Sequence, residues 1–187
     1  MPRPVPSFCI DFVKHFEGCS LKAYHDPAAA PNIWTIGWGH TADEGPPIPS
    51  PGTTITQKQA DDILAADLAR HAAAVESLVR VPINDSMFAA LVSFAFNLGD
   101  KNLRRSTLLN RVNARRFQDA VGEFGKWNHA NGVEVRGLTR RRLSEANLFC
   151  SFPNPIITDL ASYRRNRTPL TVQEAEALSQ TRVRPLS

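Results

Sequence analysis

Apolar residues recur along the first stretch of this chain with helical spacing. Phe8, Phe12 and Phe16, with Val13 beside them, put one apolar stripe on a helix from Ser7 to about Glu17. Gly18 follows as a natural stop, because glycine accepts the left-handed backbone on which many helices end, and Glu17 is then the last helical residue. A carboxylate is disfavoured at a helix C-terminus, so its placement there is unusual. From Leu21 to Thr41 the pattern changes. Trp34-Thr35-Ile36-Gly37-Trp38-Gly39-His40 alternates large residues with small or polar ones and predicts a small hairpin-based sheet. The intervening His25-Asp26-Pro27 to Pro31-Asn32 segment reads as a loop bounded by prolines, and residues 43–55 as a proline-rich surface loop.

Helices resume at Thr56, which forms a capping-box spacing with Gln59. Ile63, Leu64, Leu68, Ala72 and Val75 give a long apolar face to a helix over about 57–79. Met87 to Leu98 is apolar enough to be a buried central helix ending at Gly99. Shorter helices are expected at about 106–113, 115–124 and 137–149. A small sheet followed by a helical remainder is an α+β layout. After Cys150 the pattern weakens: Pro153, Pro155 and Pro169 interrupt it, although Thr171 and Glu174 are spaced to cap a short helix over 172–180. We therefore divide the chain into a domain at 1–150 and a C-terminal tail at 151–187.

Composition narrows the class. With 187 residues, 42% apolar and 21% charged, the chain reads as an ordinary globular protein of one or at most two domains. No apolar run approaches the roughly 20 residues of a spanning helix, and the opening Met1-Pro-Arg-Pro-Val-Pro has no signal-peptide pattern. Both features predict a soluble protein that stays where it is made until something else releases it. Three cysteines, Cys9, Cys19 and Cys150, with no close pair read as free thiols; a Cys9–Cys19 or Cys19–Cys150 bridge formed after export is the alternative. Charge is uneven. Residues 1–99 carry 6 Lys and Arg against 10 Asp and Glu, whereas residues 100–150 carry 11 against 5. A basic half suits an anionic polymer, whether nucleic acid, phospholipid surface or bacterial wall.

Glycoside hydrolysis needs two acidic groups flanking a sugar bond, one to protonate the leaving oxygen and one to activate water or attack. Glu17, beside Phe16 at a helix end, fits the proton donor; Asp26, nine residues later in a polar loop, fits the ionised partner. Thr35 offers a hydroxyl that could hold a water. Taken singly, each of these acids reads as a solvated surface carboxylate. His40 reads as a hydrogen-bonded structural histidine at the sheet edge. His15, His25, His71 and His129 show no metal-ligand pattern. Gly37 and Gly39 lack the strand-turn-helix setting of a phosphate loop.

The wording around these residues is more specific. Phe16-Glu17-Gly18, Leu21-Lys-Ala-Tyr24-His-Asp26 and the Trp34–His40 run resemble the active-site region of phage-type lysozymes, glycoside hydrolase family 24. Ala89-Ala-Leu-Val-Ser-Phe-Ala-Phe96-Asn97-Leu-Gly99, Ser106-Thr-Leu-Leu, Phe124-x-x-Trp127 and Gly137-Leu-x-x-Arg140-Arg141-Arg142 continue the match in order over about residues 8–149. It is closest to the lambdoid, P21-like branch. The loop between Asp26 and Thr35 departs from the family pattern by an insertion rich in Ala and Pro.

The resemblance implies a lysozyme-like fold, with a β-hairpin lobe and a helical lobe flanking a cleft, and hydrolysis of the β-1,4 bond from N-acetylmuramic acid to N-acetylglucosamine in peptidoglycan. It further implies inversion: Glu17 as general acid, Asp26 with Thr35 positioning water, and carboxyls roughly 6.5–9.5 Å apart. Phe96, Asn97, Ser106 and Arg140 are carried over as substrate-binding positions, Arg140 also as the arginine near Glu17. No metal or organic cofactor is implied. The expected partner is the glycan strand, with no nucleic acid, and the expected state a monomer. The expected setting is an endolysin held in the host cytoplasm until a holin opens the inner membrane. Arg104, Arg105, Arg111, Arg115 and Arg116, with Leu103, Leu108, Leu109 and Val112, also form a basic amphipathic stretch that could touch the anionic outer membrane weakly. Two rivals are a lytic transglycosylase, which needs an acid but no paired Asp, and a non-catalytic wall-binding protein.

Overall fold

The computed structural model describes residues 2–25 and 33–150; the tail at 151–187, with its expected short helix, and the loop stretch 26–32, with Asp26, lie outside the described residues. Helix α1 (Ser7–Phe16) buries Cys9, Phe12 and Val13, with Phe8 and Phe16 half-buried on the same stripe. Strands β1 (Ser20–His25), β2 (Trp34–Gly37) and β3 (His40–Thr41) form an antiparallel sheet in that order, with Thr35 opposite Tyr24 on one side and Thr41 on the other. A 3-10 turn at Ala42–Glu44 leads into the proline-rich loop.

Helix α2 (Gln57–Leu78) starts with the capping box foreseen from Thr56 and Gln59, both reciprocal hydrogen bonds being formed. Helix α3 (Asp85–Leu98) begins at Asn84, whose side chain accepts from the Met87 N–H at 2.8 Å. Every residue from Met87 to Ala95 is buried, so α3 is apolar on all sides and must be wrapped by the others. Helices α4 (Asp100–Arg105), α5 (Thr107–Asn113) and α6 (Phe117–Phe124), the hairpin β4–β5 (His129–Ala130, Val133–Glu134) and helix α7 (Arg136–Cys150) complete the α+β fold.

Three details differ from the sequence reading. α1 ends at Phe16; Glu17 is extended (φ −94°, ψ 143°), and Gly18 is not among the glycines with positive φ. The chain turns straight from helix to strand, so no left-handed residue is needed. Helix α4 precedes the helix expected from 106, because Gly99 (φ 85°) lets the backbone restart one residue after α3. The β4–β5 hairpin was signalled by Asn131-Gly132, a pair that takes positive φ at both positions, as two-residue hairpins require. A fourth feature bears on membranes: Leu103, Leu108, Leu109 and Val112 are buried in the core. The basic stretch 101–116 therefore presents arginines, not an apolar face.

Gly39 (φ +98°) is a different case from Gly18: a Cβ there would also lie 3.9 Å from Oε2 of Glu17, whereas one at Gly18 meets nothing within 4 Å. Gly18→Ala should alter unfolding free energy by less than about 0.5 kcal/mol, and Gly39→Ala should cost about 1–2 kcal/mol. Urea denaturation of the two variants checks this, and equal effects would contradict it.

Candidate active site

Between the sheet and the helical body lies a cleft of about 340 Å³, lined by Glu17, Tyr24, Thr35, Gly39, Thr41, Glu44, Asp67, Phe96 and Asn97. Its lining comes from the exit of α1, all three strands, α2 and the last turn of α3. Four of the seven residues singled out from sequence, Glu17, Thr35, Phe96 and Asn97, meet here. Asp26 lies outside the described residues; it follows directly on His25, the last residue of β1. Phe96 is half-buried, packing on the core and edge-on to His71 with ring centroids 5.7 Å apart. Thr35 is buried in the middle strand.

Two expected positions fall elsewhere. The arginine that meets Glu17 is Arg141, not Arg140: its Nη1 donates to Oε1 of Glu17. With α7 starting at Arg136, helical spacing turns Arg141, Arg142, Glu145, Ala146 and Phe149 inward and leaves Arg140 exposed. Ser106 is the N-cap of α5 and is buried; its hydroxyl accepts from the Leu109 N–H at 3.0 Å and donates to the Leu103 carbonyl at 2.7 Å. Its proton and one lone pair are engaged within the helical body, and Ser106 is not among the residues that line the cleft.

Two charge networks frame the cleft. In the first, Arg141 also donates through Nε to Oε1 of Glu145 at 3.2 Å, and Ser93 on α3 donates to the same oxygen at 2.7 Å. The neighbouring Arg142 lies 3.0 Å from Oε2 of Glu145 and donates through Nη2 to the Asn97 side-chain carbonyl. Glu145 is fully buried; burial pushes its carboxyl up, against the pull of Arg142 and Arg141.

The second network ties the sheet to α2. His40 places Nδ1 2.9 Å from Asp67 and Nε2 2.9 Å from the Pro47 carbonyl. A carbonyl only accepts, so Nε2 carries a proton, and the Asp67 carboxylate favours a second one on Nδ1. Burial pushes the His40 imidazole down, but the Asp67 hydrogen bond and charge outweigh it and the net shift is upward. Arg70 bridges Asp67 at 2.6 Å and Glu44 at 3.0 Å. His71 lies 3.5 Å from Glu44 and 2.7 Å from Asp100; burial again lowers it, and the two carboxylates more than reverse this. His71, and then Arg70, hold the Glu44 carboxyl down at about 2. His40 is thus the structural histidine read from sequence. Asp67 and His71 were not foreseen, although a polar pair four residues apart on the buried stripe of α2, among Leu64, Leu68 and Val75, was the available sign.

The body of the chain can now be placed among known proteins. A family model described as phage lysozyme matches residues 14–145, and the chain belongs to that family. It is 39% identical over 140 residues to an endolysin of Bacillus phage B103, covering 75% of this chain and 51% of that protein. It is 38% identical over 139 residues to the endolysin of Salmonella phage P22, covering 74% of this chain and 92% of that one. The chain thus spans about half the length of its Bacillus phage relatives and nearly all of the P22 protein. Among solved structures it is similar to the muramidase domain of SpmX from Asticaccaulis excentricus, with a TM-score of 0.71 at 34% identity over 80% of this chain and 99% of that one.

The second network should give stability a pH window. Glu44 titrates below its ordinary 4.5, so its contribution is complete above 4.5 and is lost as pH falls towards about 2. His40 and His71 titrate above their ordinary 6.5, so theirs is complete below 6.5 and is lost as pH rises through the folded values. Melting temperature against pH should therefore peak between 4.5 and 6.5, and Glu44→Gln should flatten the acid side. Profiles of the same shape in both proteins would contradict the assignment. Ser106→Ala should cost about 1 kcal/mol of stability as a lost cap, with kcat/KM unchanged. A fall in kcat/KM at undiminished stability would restore Ser106 to the substrate.

Proposed function

We propose that the protein is a lysozyme that hydrolyses the β-1,4 bond between N-acetylmuramic acid and N-acetylglucosamine of peptidoglycan. The observation that carries this is the position of Glu17: a carboxyl released from the end of α1 into a cleft that Thr35 also lines, and paired with a buried arginine. The cleft volume of about 340 Å³ falls within the roughly 300–1,000 Å³ of small-ligand sites, and its mixture of aromatic and polar walls suits a saccharide.

In this reading Glu17 gives its proton to the oxygen leaving the anomeric carbon. Asp26 and Thr35 hold a water that attacks that carbon from the other face as the glycosidic C–O bond breaks, and Asp26 takes the water's proton. The product is inverted. Phe96 and Asn97 line the sugar path. The biological role is host lysis by a monomeric endolysin that reaches the wall after a holin opens the inner membrane. The exposed Arg104, Arg105 and Arg115 allow weak electrostatic contact with an anionic outer membrane.

Mass spectrometry of products from purified peptidoglycan tests the assignment. The parent chain should yield reducing muramic-acid ends, and Glu17→Gln should lower the rate by about 10²–10⁴-fold, the usual worth of a positioned general acid. Anhydro-muramic ends would move the chemistry to transglycosylation. A folded parent that cuts nothing would leave a wall-binding protein.

A further inference from the structure

Arg141 and Arg142 are adjacent on α7, and a helix turns about 100° per residue, so their side chains leave the axis in different directions. Both are nonetheless buried, at 3% and 0% exposure. One reaches Glu17 and the other Asn97, two residues of the cleft that come from different elements. A single carboxylate stands between them. Glu145, one helical turn along, meets Arg141 with Oε1 and Arg142 with Oε2 and is itself held by the Ser93 hydroxyl.

Two buried guanidinium groups side by side repel each other and cost desolvation, and without an anion between them neither could keep its direction. Within the domain, Arg141 and Arg142 face Glu145 between them, and Arg141 also faces Glu17 at the cleft. Among the described residues, Cys9 on α1 also feels Glu145 and Arg141, and burial keeps its thiol neutral. Across the cleft, Glu44 and Asp67 are engaged by Arg70, His71 and His40.

We propose that Glu145 is a positioning residue for the reaction: it splays the two arginines, one to the acid and one to the sugar path, and offsets enough of their charge for Glu17 to carry a proton. This rests on the reading of Glu17 as general acid. It gives a reason for a fully buried carboxylate between α7 and the apolar α3. Losing the negative charge leaves Glu17 facing an uncompensated guanidinium pair, which favours its ionised form.

The test compares Glu145→Gln and Glu145→Asp in the full chain. Two readouts are used: the pH–activity profile on purified peptidoglycan, and the midpoint of the Glu17 carboxyl titration followed by 13C NMR. In Glu145→Gln the limb on which activity falls with rising pH should move about one unit lower, as should the NMR midpoint, the scale of shift that nearby charges produce. Glu145→Asp, which keeps the charge, should restore both. A folded Glu145→Gln with a lower melting temperature but unmoved limb and midpoint would make Glu145 merely structural and overturn the proposal. If that variant does not fold, Ser93→Ala, which removes only the hydroxyl supporting Glu145, should shift the midpoint the same way by less; an unmoved midpoint overturns the proposal. If the parent proves inactive, the reading of Glu17 as acid fails, while the NMR midpoint still decides the role of Glu145.

Discussion

The structure depends on covering α3. A helix with nine consecutive buried residues from Met87 to Ala95 has no face for water, and the rest of the chain is arranged to shield it. α1, α2, α4 and α7 lie against it. Among those nine residues Ser93 alone has a polar side chain, and its hydroxyl is satisfied by Glu145 rather than left bare. The wrapping runs out at the C-terminal turn, where Phe96 and Asn97 are half-buried, and there the cleft opens. The site is therefore placed at the point where a hydrophobic helix emerges from its cover.

The carboxyl at this place is held without being buried. The chain does this by releasing Glu17 from α1 in an extended conformation and backing it with Arg141 from the far end of the domain, 124 residues away in sequence. Three elements are fixed relative to each other nearby. Asp61 on α2 accepts from Trp38 at 2.8 Å, in the turn between β2 and β3, and pairs with Lys14 on α1 at 2.8 Å. The sheet is pinned to α2 a second time through His40, Asp67, Arg70 and Glu44.

Much of this was legible in the sequence because it follows local rules. The apolar stripe of α1, the capping box of α2, the all-apolar α3 and the alternating β2 segment each carry their own periodicity, and the wording around Glu17 and Thr35 carried the site. What escaped was of two kinds. Short elements such as α4 and β4–β5 depend on single backbone positions, Gly99 and Asn131-Gly132, that weigh little against longer patterns. Long-range ion pairs were harder still. Three consecutive arginines look alike in sequence, and only the helix start at Arg136 decides that Arg141 rather than Arg140 faces the acid. Ser106 shows the reverse: a residue read from its family block as a sugar contact is placed by the structure at the cap of α5.

The burial of Cys9 has a consequence of its own. Its sulfur lies 3.6 Å from the Ala89 carbonyl, against the central helix, and burial pushes the thiol up to about 12, so almost none is thiolate at neutral pH. Cys19 and Cys150 are exposed. A thiol reagent therefore finds Cys19 and Cys150 at the surface and reaches Cys9 when α1 lifts away from α3. The slow labelling phase counts those excursions directly. Because Glu17 follows directly on α1, the chain carries its own clock for how often that carboxyl loses its seat.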